Sequence, residues 1–236
     1  MKIYVGTSGY AYKEWQGRFY PEKISSREML RFYSGRLNTV EINNTFYRMP
    51  KESVLMSWAG QVPDNFVFAL KAPQVITHLK RLWNVSEETG YLFRTLTVLD
   101  NRLGPILFQF PKSFRVNRSA LEDFLGLIPK DRACAFEFRN PSWLDGGILD
   151  LLRKREFGLC VADGDENPAN EIIPTAPWGY LRLRRSDYTN GDLLQWLERI
   201  LSQKWERAYV FFKHEDDDAK GPEMAIRFRE LAEGHR

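Results

Sequence analysis

One five-residue stretch decides the fold: Ala135-Phe136-Glu137-Phe138-Arg139. Its apolar and charged side chains alternate, which is the pattern of a β-strand with two different faces. Helices cover the outer face of a barrel, so Phe136 and Phe138 should point outward to them and Glu137 and Arg139 inward. The stretch therefore predicts a strand of a parallel barrel whose carboxyl end is polar.

Seven other short apolar runs end in the same way, at a polar or charged residue. They are Ile3–Thr7, Thr39–Asn43, Val67–Lys71, Ile106–Gln109, Leu159–Asp163, Tyr180–Arg184 and Tyr209–Lys213. Strands that become polar at their carboxyl ends are typical of a barrel with its site at that mouth. We therefore predict an α/β fold, a single TIM-type (β/α)8 barrel that occupies residues 1–236 as one domain.

Helical patterns separate most of these runs. They lie at residues 26–34, 51–62, 85–99, 119–128, 147–155, 192–201 and 224–232. The connection between Asp163 and Tyr180 is different, because its Gly, Asp, Asn and Pro residues are typical of loop. The crossover between strands 6 and 7 should therefore be irregular, with its helix reduced or missing.

Composition sets limits on location and partners. The formal net charge of +3 neither requires nor excludes nucleic acid. The first residues do not resemble a secretory signal, and no run approaches the roughly 18 apolar residues of a membrane span. Cys134 and Cys160 fall in neighbouring strands, and we expect reduced, buried thiols that both face the helices, in preference to a disulfide or metal ligands. These features favour a cytoplasmic protein without membrane contact.

Several motifs resemble those of one known family. They are Gly6–Trp15, Phe19–Pro21, Val40–Arg48, Phe68–Pro73 with Thr77 and His78, Gly104–Pro111, Phe136–Trp143, Tyr180–Arg184 and Phe212–Asp216. In this order they are similar to the DUF72 (YecE-like) family over nearly the whole chain. The resemblance implies a TIM-type barrel and supplies no activity. It also implies a histidine where Arg184 stands, so a role of that histidine is absent here or is performed differently.

Three carboxylates should point into the barrel mouth: Glu41, Glu137 and Asp163. Converging carboxylates shift each other's proton affinities and can act as general acid and base, so these are our candidate catalytic residues. The alternative is structural, because each could pair with a neighbouring cation and hold the barrel together. Glu137 beside Arg139 and Arg182 fits that alternative.

The cations predicted at the same rim outnumber the three acids. They are Lys71, Arg139, Arg182, Arg184 and Lys213, with Lys213 favoured over His214 as the inward residue of the last strand. Excess positive charge favours an anionic ligand such as phosphate or carboxylate, which arginine binds in bidentate geometry. Asn43 and Gln109 should orient hydroxyl or amide groups of that ligand. Ion pairing within the protein could account for part of the excess.

Aromatic residues are frequent in the loops at this end of the predicted barrel. Tyr12, Trp15, Phe46 and Trp143 are candidates to stack on a sugar face or a nucleobase, which gives contact area at little entropic cost. About half of the loop aromatics should instead pack on one another. We predict no cofactor, and a single divalent ion on Glu41, Glu137 or Asp163 is the less favoured alternative. The acidic run 214–218 is expected to be solvated.

The sequence therefore favours an enzyme of the hydrolase, lyase or isomerase classes that acts on an anionic sugar-like or nucleotide-like molecule. The alternative is a nucleic-acid-binding protein whose basic rim contacts backbone phosphates. Binding without chemistry is a third hypothesis, and the oligomeric state stays open.

Overall fold

The structure, a computed structural model, describes residues 1–169, 171–213 and 219–235. Eight parallel strands form one sheet in the order β1-β8-β7-β6-β5-β4-β3-β2, which confirms the predicted barrel. The strands are β1 Lys2–Thr7, β2 Thr39–Ile42, β3 Val67–Lys71, β4 Leu103–Phe110, β5 Cys134–Phe138, β6 Gly158–Asp163, β7 Trp178–Leu183 and β8 Arg207–Phe212. The predicted acidic run 214–218 lies outside the described residues.

Helices follow most of the strands and cover the outside of the barrel. They are α1 Met29–Ser34, α2 Glu52–Ala59, α3 Ser86–Leu96, α4 Arg118–Leu127, α5 Gly146–Lys154, α6 Asn190–Leu201 and α7 Lys220–Gly234. None of the described residues between β6 and β7 is helical, which confirms the irregular crossover. Among the residues that the structure describes, no helix has the length and apolar character to cross a bilayer.

Strand alternation divides the apolar residues into two clusters. The larger cluster lies between strands and helices and contains Phe136 and Leu181. The smaller cluster fills the barrel interior, where the rings of Tyr4 and Tyr209 stack at 4.8 Å. Because this lower part of the interior is filled by packed side chains, a ligand can approach only at the polar carboxyl ends.

Side chains close the barrel between β1 and β2. The side-chain amide of Asn38 accepts a hydrogen bond from the Val5 amide at 2.7 Å and donates to the Ile3 carbonyl at 3.2 Å. The Tyr33 hydroxyl accepts from the Thr7 amide at 2.8 Å and donates to the Thr39 carbonyl at 3.0 Å. These bonds satisfy backbone groups that would otherwise form a regular ladder. We call this region the β1–β2 seam.

The prediction for β6 was wrong in its orientation. Cys160 belongs to the cluster inside the barrel, so Asp163, three residues later, faces the opposite side of the strand. The run Leu159–Ala162 is apolar throughout, so nothing before Asp163 indicates which side faces inward. Cys134 faces the helices as predicted, and both cysteines are buried and free. Burial raises the pKa of the Cys160 thiol well above its usual value.

Candidate active site

Arg182 is the centre of the buried network at the barrel mouth. Its side chain points inward from β7 and donates to Glu41 Oε1 at 2.9 Å and to Glu137 Oε2 at 2.6 Å. These two carboxylates come from β2 and β5, so one guanidinium connects three strands across the interior. Arg182 and Glu41 are 3% and 0% exposed, so the network closes the interior below the mouth.

The remaining bonds of Glu41 come from β7 and from the residues that follow β1 and β2. Its Oε2 accepts from the Tyr180 hydroxyl at 2.7 Å, and its Oε1 also accepts from Ser8 Oγ at 2.8 Å and Asn43 Nδ2 at 3.1 Å. Burial would raise the pKa of Glu41, but Arg182 and these hydrogen bonds outweigh burial and lower it. Glu41 therefore remains ionised and has no exposed oxygen to offer a ligand.

Glu137 has a similar environment. Gln109 Nε2 donates to its Oε1 at 2.8 Å, and Arg139 Nε donates to the same oxygen at 3.1 Å. Burial opposes ionisation, yet Arg182, Arg139 and the hydrogen bonds lower the pKa of Glu137 to about 2. A carboxylate with so low a pKa is a weak general base and carries no proton near neutral pH. In this geometry Glu41 and Glu137 hold the arginines in place.

Asp163 is separated from these two carboxylates. Its Oδ1 accepts from the Ala169 amide at 2.9 Å, and its Oδ2 accepts from the Tyr188 hydroxyl at 2.8 Å. Arg185 Nε lies 3.4 Å from the same Oδ2. Asp163 therefore fastens the β6–β7 crossover to the segment after β7. The structure does not bring it into the Glu41–Arg182–Glu137 network.

Lys71 enters the mouth from the end of β3 and is half-buried. Its ammonium lies 4.0 Å from the centroid of the Phe46 ring. Burial, followed by the positive charge of Arg182, lowers the pKa of Lys71 to about 8. Lys71 is therefore a mouth residue whose proton exchanges near neutral pH, in contrast to Glu137.

His78 also contacts Phe46, with the two ring centroids 4.8 Å apart in an edge-to-face arrangement. Burial, and then the charge of Lys71, lower its pKa below the usual histidine value. The residue lies in a π-helical turn, Val75–Leu79, a rare form that is frequent at functional sites. The following residues Arg81 and Leu82 have φ of 48° and 71°, a strained conformation for side chains of this size.

A cavity of about 780 Å³ opens on the β5–β8 side of the mouth. Arg139, Arg184 and Lys213 line it from the ends of three different strands. Among the described residues, no group accepts a hydrogen bond from the two terminal nitrogens of Arg139, whose Nε is held by Glu137. Exposed acidic residues of the β6–β7 crossover, Asp165, Glu166 and Glu171, also line it.

The aromatic candidates divide into packing and mouth residues. Trp15 and Trp143 are 1% and 0% exposed, and the Trp143 indole donates to the Phe114 carbonyl at 2.6 Å. Both tryptophans therefore belong to the core and have no surface for stacking on a ligand. Phe46 remains at the mouth beside Lys71, and the Tyr12 hydroxyl donates to the Ser8 carbonyl at 3.0 Å.

Sequence reasoning did not select several residues that the geometry now makes prominent. His78 contacts Phe46 at the mouth and Tyr180 binds Glu41 below it. Both lie in motifs of the family resemblance, but no pattern gave either residue a role in the site. Trp83 is 56% exposed at the strained turn, where a groove of about 670 Å³ also contains Lys80, Arg81 and Arg115. Within the three described ranges, no group of three or more His, Cys, Asp or Glu residues is placed to hold a metal ion.

Comparison with known proteins identifies the family. A model described as "Protein of unknown function DUF72" matches residues 4–236. The chain is similar to the UPF0759 protein YecE of Escherichia coli (strain K12), with 26% identity over 94% of this chain and 89% of YecE.

Solved structures agree with this match. A DUF72 family protein from Thermotoga maritima MSB8 is 26% identical, with a TM-score of 0.85 over 99% of this chain and 100% of that one. A DUF72 family protein from Enterococcus faecalis V583 shares the fold at 19% identity, with a TM-score of 0.79 over 98% of this chain and 95% of that one. Since the family model spans nearly the whole sequence, this chain belongs to the DUF72 family.

Proposed function

We propose that this protein is a TIM-barrel enzyme that acts on a small anionic molecule, sugar-like or nucleotide-like, at the carboxyl end of the barrel. The anionic group binds Arg139, with Arg184 and Lys213 lining the same cavity. One observation carries this proposal. Glu137 fixes the Nε of Arg139, while both terminal nitrogens lack a protein partner among the described residues, as bidentate binding of a phosphate or carboxylate requires.

The geometry also changes the roles within the proposed reaction. Glu41 and Glu137 position Arg182 and Arg139. Proton transfer falls to Lys71, whose pKa burial lowers to about 8, and to His78, whose pKa burial lowers below the usual histidine value. Asn43 and Gln109 use their amide groups to hold the two carboxylates. The proposed reaction belongs to the hydrolase, lyase or isomerase class.

We expect inorganic phosphate to raise the melting temperature of the protein more than chloride does at equal ionic strength, since a ligand of the folded state stabilises it. The Arg139→Met variant should bind phosphate about tenfold more weakly, because charge-assisted hydrogen bonds are lost. Arg118→Met is the matched control, since Arg118 pairs with Glu122 on the surface of α4. Equal responses to phosphate and chloride, or full affinity in Arg139→Met, would contradict the proposal.

Turnover is tested on the same proteins. A panel of phosphorylated and carboxylated sugars, followed by phosphorus and proton NMR, should reveal a substrate that the wild type consumes. Arg139→Met should then reduce kcat/KM about tenfold or more, while Arg118→Met leaves it unchanged. Phosphate binding without turnover of any panel member would support binding without chemistry instead.

Nucleic-acid binding is a second candidate function, and the groove at Trp83 favours it. Trp83 and Tyr47 are 56% and 76% exposed, and the groove beside Trp83 carries Lys80, Arg81 and Arg115. Exposed aromatic rings beside cations bind single strands by stacking and phosphate contacts. These rings differ from Tyr12 and Trp15, which the sequence favoured for stacking.

If this candidate is correct, a fluorescent oligo(dT) will bind with an affinity that falls steeply as salt rises. Trp83→Ala should weaken it about tenfold, since one stacked base contributes about 1–3 kcal/mol. Tyr91→Ala is the control, because Tyr91 is exposed on α3 outside this groove. Anisotropy measurements that show no binding, or the same affinity at low and high salt, would exclude nucleic acid.

A further inference from the structure

Lys71 is held in an unusual way for a lysine at a polar mouth. Among the described residues, no carboxylate lies within ion-pair distance of its ammonium, which contacts the face of Phe46 at 4.0 Å. The nearby acids already have partners, since Glu41 and Glu137 are bound to Arg182. A desolvated lysine next to other cations is the environment in which an amine becomes a nucleophile.

His78 supplies a proton-transfer group on the same cluster. Phe46 contacts both Lys71 and His78, and His78 Nδ1 is 2.8 Å from the Thr77 hydroxyl. Leu82, in the turn after the π-helical segment, is buried despite its left-handed backbone, so the surrounding packing holds this strained turn in place. Strain that the surrounding packing maintains is often part of a functional site.

We infer that Lys71 forms an imine with a ligand that carries an aldehyde or ketone together with an anionic group, and that His78 transfers the protons of this step. The inference rests on the proposed function and deepens it. Arg139 binds the anionic group while the carbonyl carbon reaches Lys71 Nζ. Because an imine withdraws electrons from the adjacent carbon, the reaction class narrows to lyase or isomerase chemistry.

The step balances without a further reagent. The lone pair of neutral Lys71 Nζ forms a bond to the carbonyl carbon, and the carbonyl π pair moves to oxygen, which gains a proton. The proton that the oxygen gains comes from the attacking nitrogen, which gives a neutral carbinolamine. Its hydroxyl takes up a proton from His78 and leaves as water while the nitrogen lone pair forms the C=N bond, and the second N–H proton then returns to His78. The net change is one amine and one carbonyl giving one imine and one water, with no change in oxidation state.

The pH dependence follows from the groups around Lys71. The charged groups that act on it are Arg182 on β7, Glu41 on β2, and Glu137 and Arg139 at the end of β5. The cations and burial outweigh the two acids and set the pKa of Lys71 to about 8, so about one amine in ten is neutral at pH 7. The neutral fraction of Lys71, and with it imine formation, should reach half of its maximum near pH 8 and level off about one pH unit above.

Pyridoxal 5′-phosphate tests the inference, because it combines an aldehyde with a phosphate. The full-length protein is treated with this probe below one equivalent, reduced with borohydride, and mapped by mass spectrometry. Lys71 should be modified at least about tenfold faster than Lys2, which also lies over an aromatic ring, Tyr4 at 4.6 Å, but at the opposite end of the barrel. Lys2→Met should keep the labelling of Lys71, whereas Lys71→Arg should abolish it.

The outcomes separate this inference from the proposed function. Pyridoxal without the phosphate should label Lys71 about tenfold more slowly, and inorganic phosphate should compete with the phosphorylated probe. Equal labelling of Lys71 by both aldehydes would support the imine and contradict the anion site. Phosphate binding with labelling spread evenly over surface lysines would contradict the imine alone. Because the mapping uses the wild-type protein, poor folding of a variant leaves the test intact.

Discussion

Arg182→Met will lower the free energy of unfolding by about 4 kcal/mol at pH 7, because removal of one member of a buried ion pair leaves the others uncompensated. Arg182 donates to both Glu41 and Glu137, and all three side chains are buried. Methionine fills part of the same volume without charge, so lost packing is a small part of the effect. Urea unfolding of wild type and variant at several pH values measures the difference.

The change of this stability loss with pH distinguishes the loss of charge interactions from the loss of packing. In the wild type the pKa of Glu137 is about 2, below its value in the unfolded chain, so its contribution is fully present above the unfolded pKa and lost as pH falls. In Arg182→Met burial acts without its counter-charge and raises the pKa of both glutamates. At low pH the two glutamates of the variant are then protonated, which removes their uncompensated buried charges. The difference in the free energy of unfolding between wild type and variant should therefore be smaller at about pH 4 than at pH 7.

Two further variants complete this test. Arg182→Met combined with Glu41→Gln and Glu137→Gln removes the buried charges together, so it should recover a large part of the lost stability. Arg118→Met removes a surface pair with Glu122 and should cost less than about 0.5 kcal/mol. A loss in Arg182→Met that is equal at pH 7 and pH 4 would show that packing, and not charge, is responsible.

The strands could be predicted because each run is short and apolar and ends at a polar or charged residue, and because some runs, such as Ala135–Arg139, also alternate. Val67–Lys71 begins and ends in the structure as predicted from its apolar run and its polar carboxyl end. In β6 the alternation is missing, since Leu159–Ala162 is apolar throughout, and the orientation was inferred from Asp163 alone. That inference assumed that the carboxylate faces the barrel interior, whereas Asp163 lines the mouth cavity from the rim and binds Tyr188 and the crossover.

The sequence predicts which residue types lie at the mouth and at which level along the barrel axis they lie. It does not predict which side chains bind one another. Alternation brings Glu41, Glu137 and Arg182 to one level, yet the bond between Arg182 and Glu41 joins positions 141 residues apart. Whether a carboxylate is a catalyst or a clamp depends on such partners, because they decide its pKa. His78 was missed for a related reason, since its position depends on a π-helical turn that no periodic pattern indicates.

Gly6→Ala will lower the free energy of unfolding by about 3 kcal/mol or more, because the β1–β2 seam has no room for a side chain at this position. A Cβ built on Gly6 would overlap the carbonyl oxygen of Thr39 and lie 2.8 Å from its carbon, and both are backbone atoms that cannot rotate away. It would also lie 3.0 Å from the Tyr33 hydroxyl, which bonds Thr7 and Thr39 across the seam.

Gly126→Ala is the matched control, since nothing lies within 4 Å of a Cβ at that position in α4. There alanine should stabilise the protein by about 0.5–1 kcal/mol, because it restricts the unfolded chain and favours helix. In urea unfolding, Gly6→Ala should lower the free energy of unfolding and Gly126→Ala should raise it if close approach at the seam is required. Amide exchange of Val5 and Thr7 should also accelerate in Gly6→Ala, since both amides donate to seam side chains. A Gly6→Ala variant as stable as the wild type would mean that the barrel closes without this contact between β1 and β2.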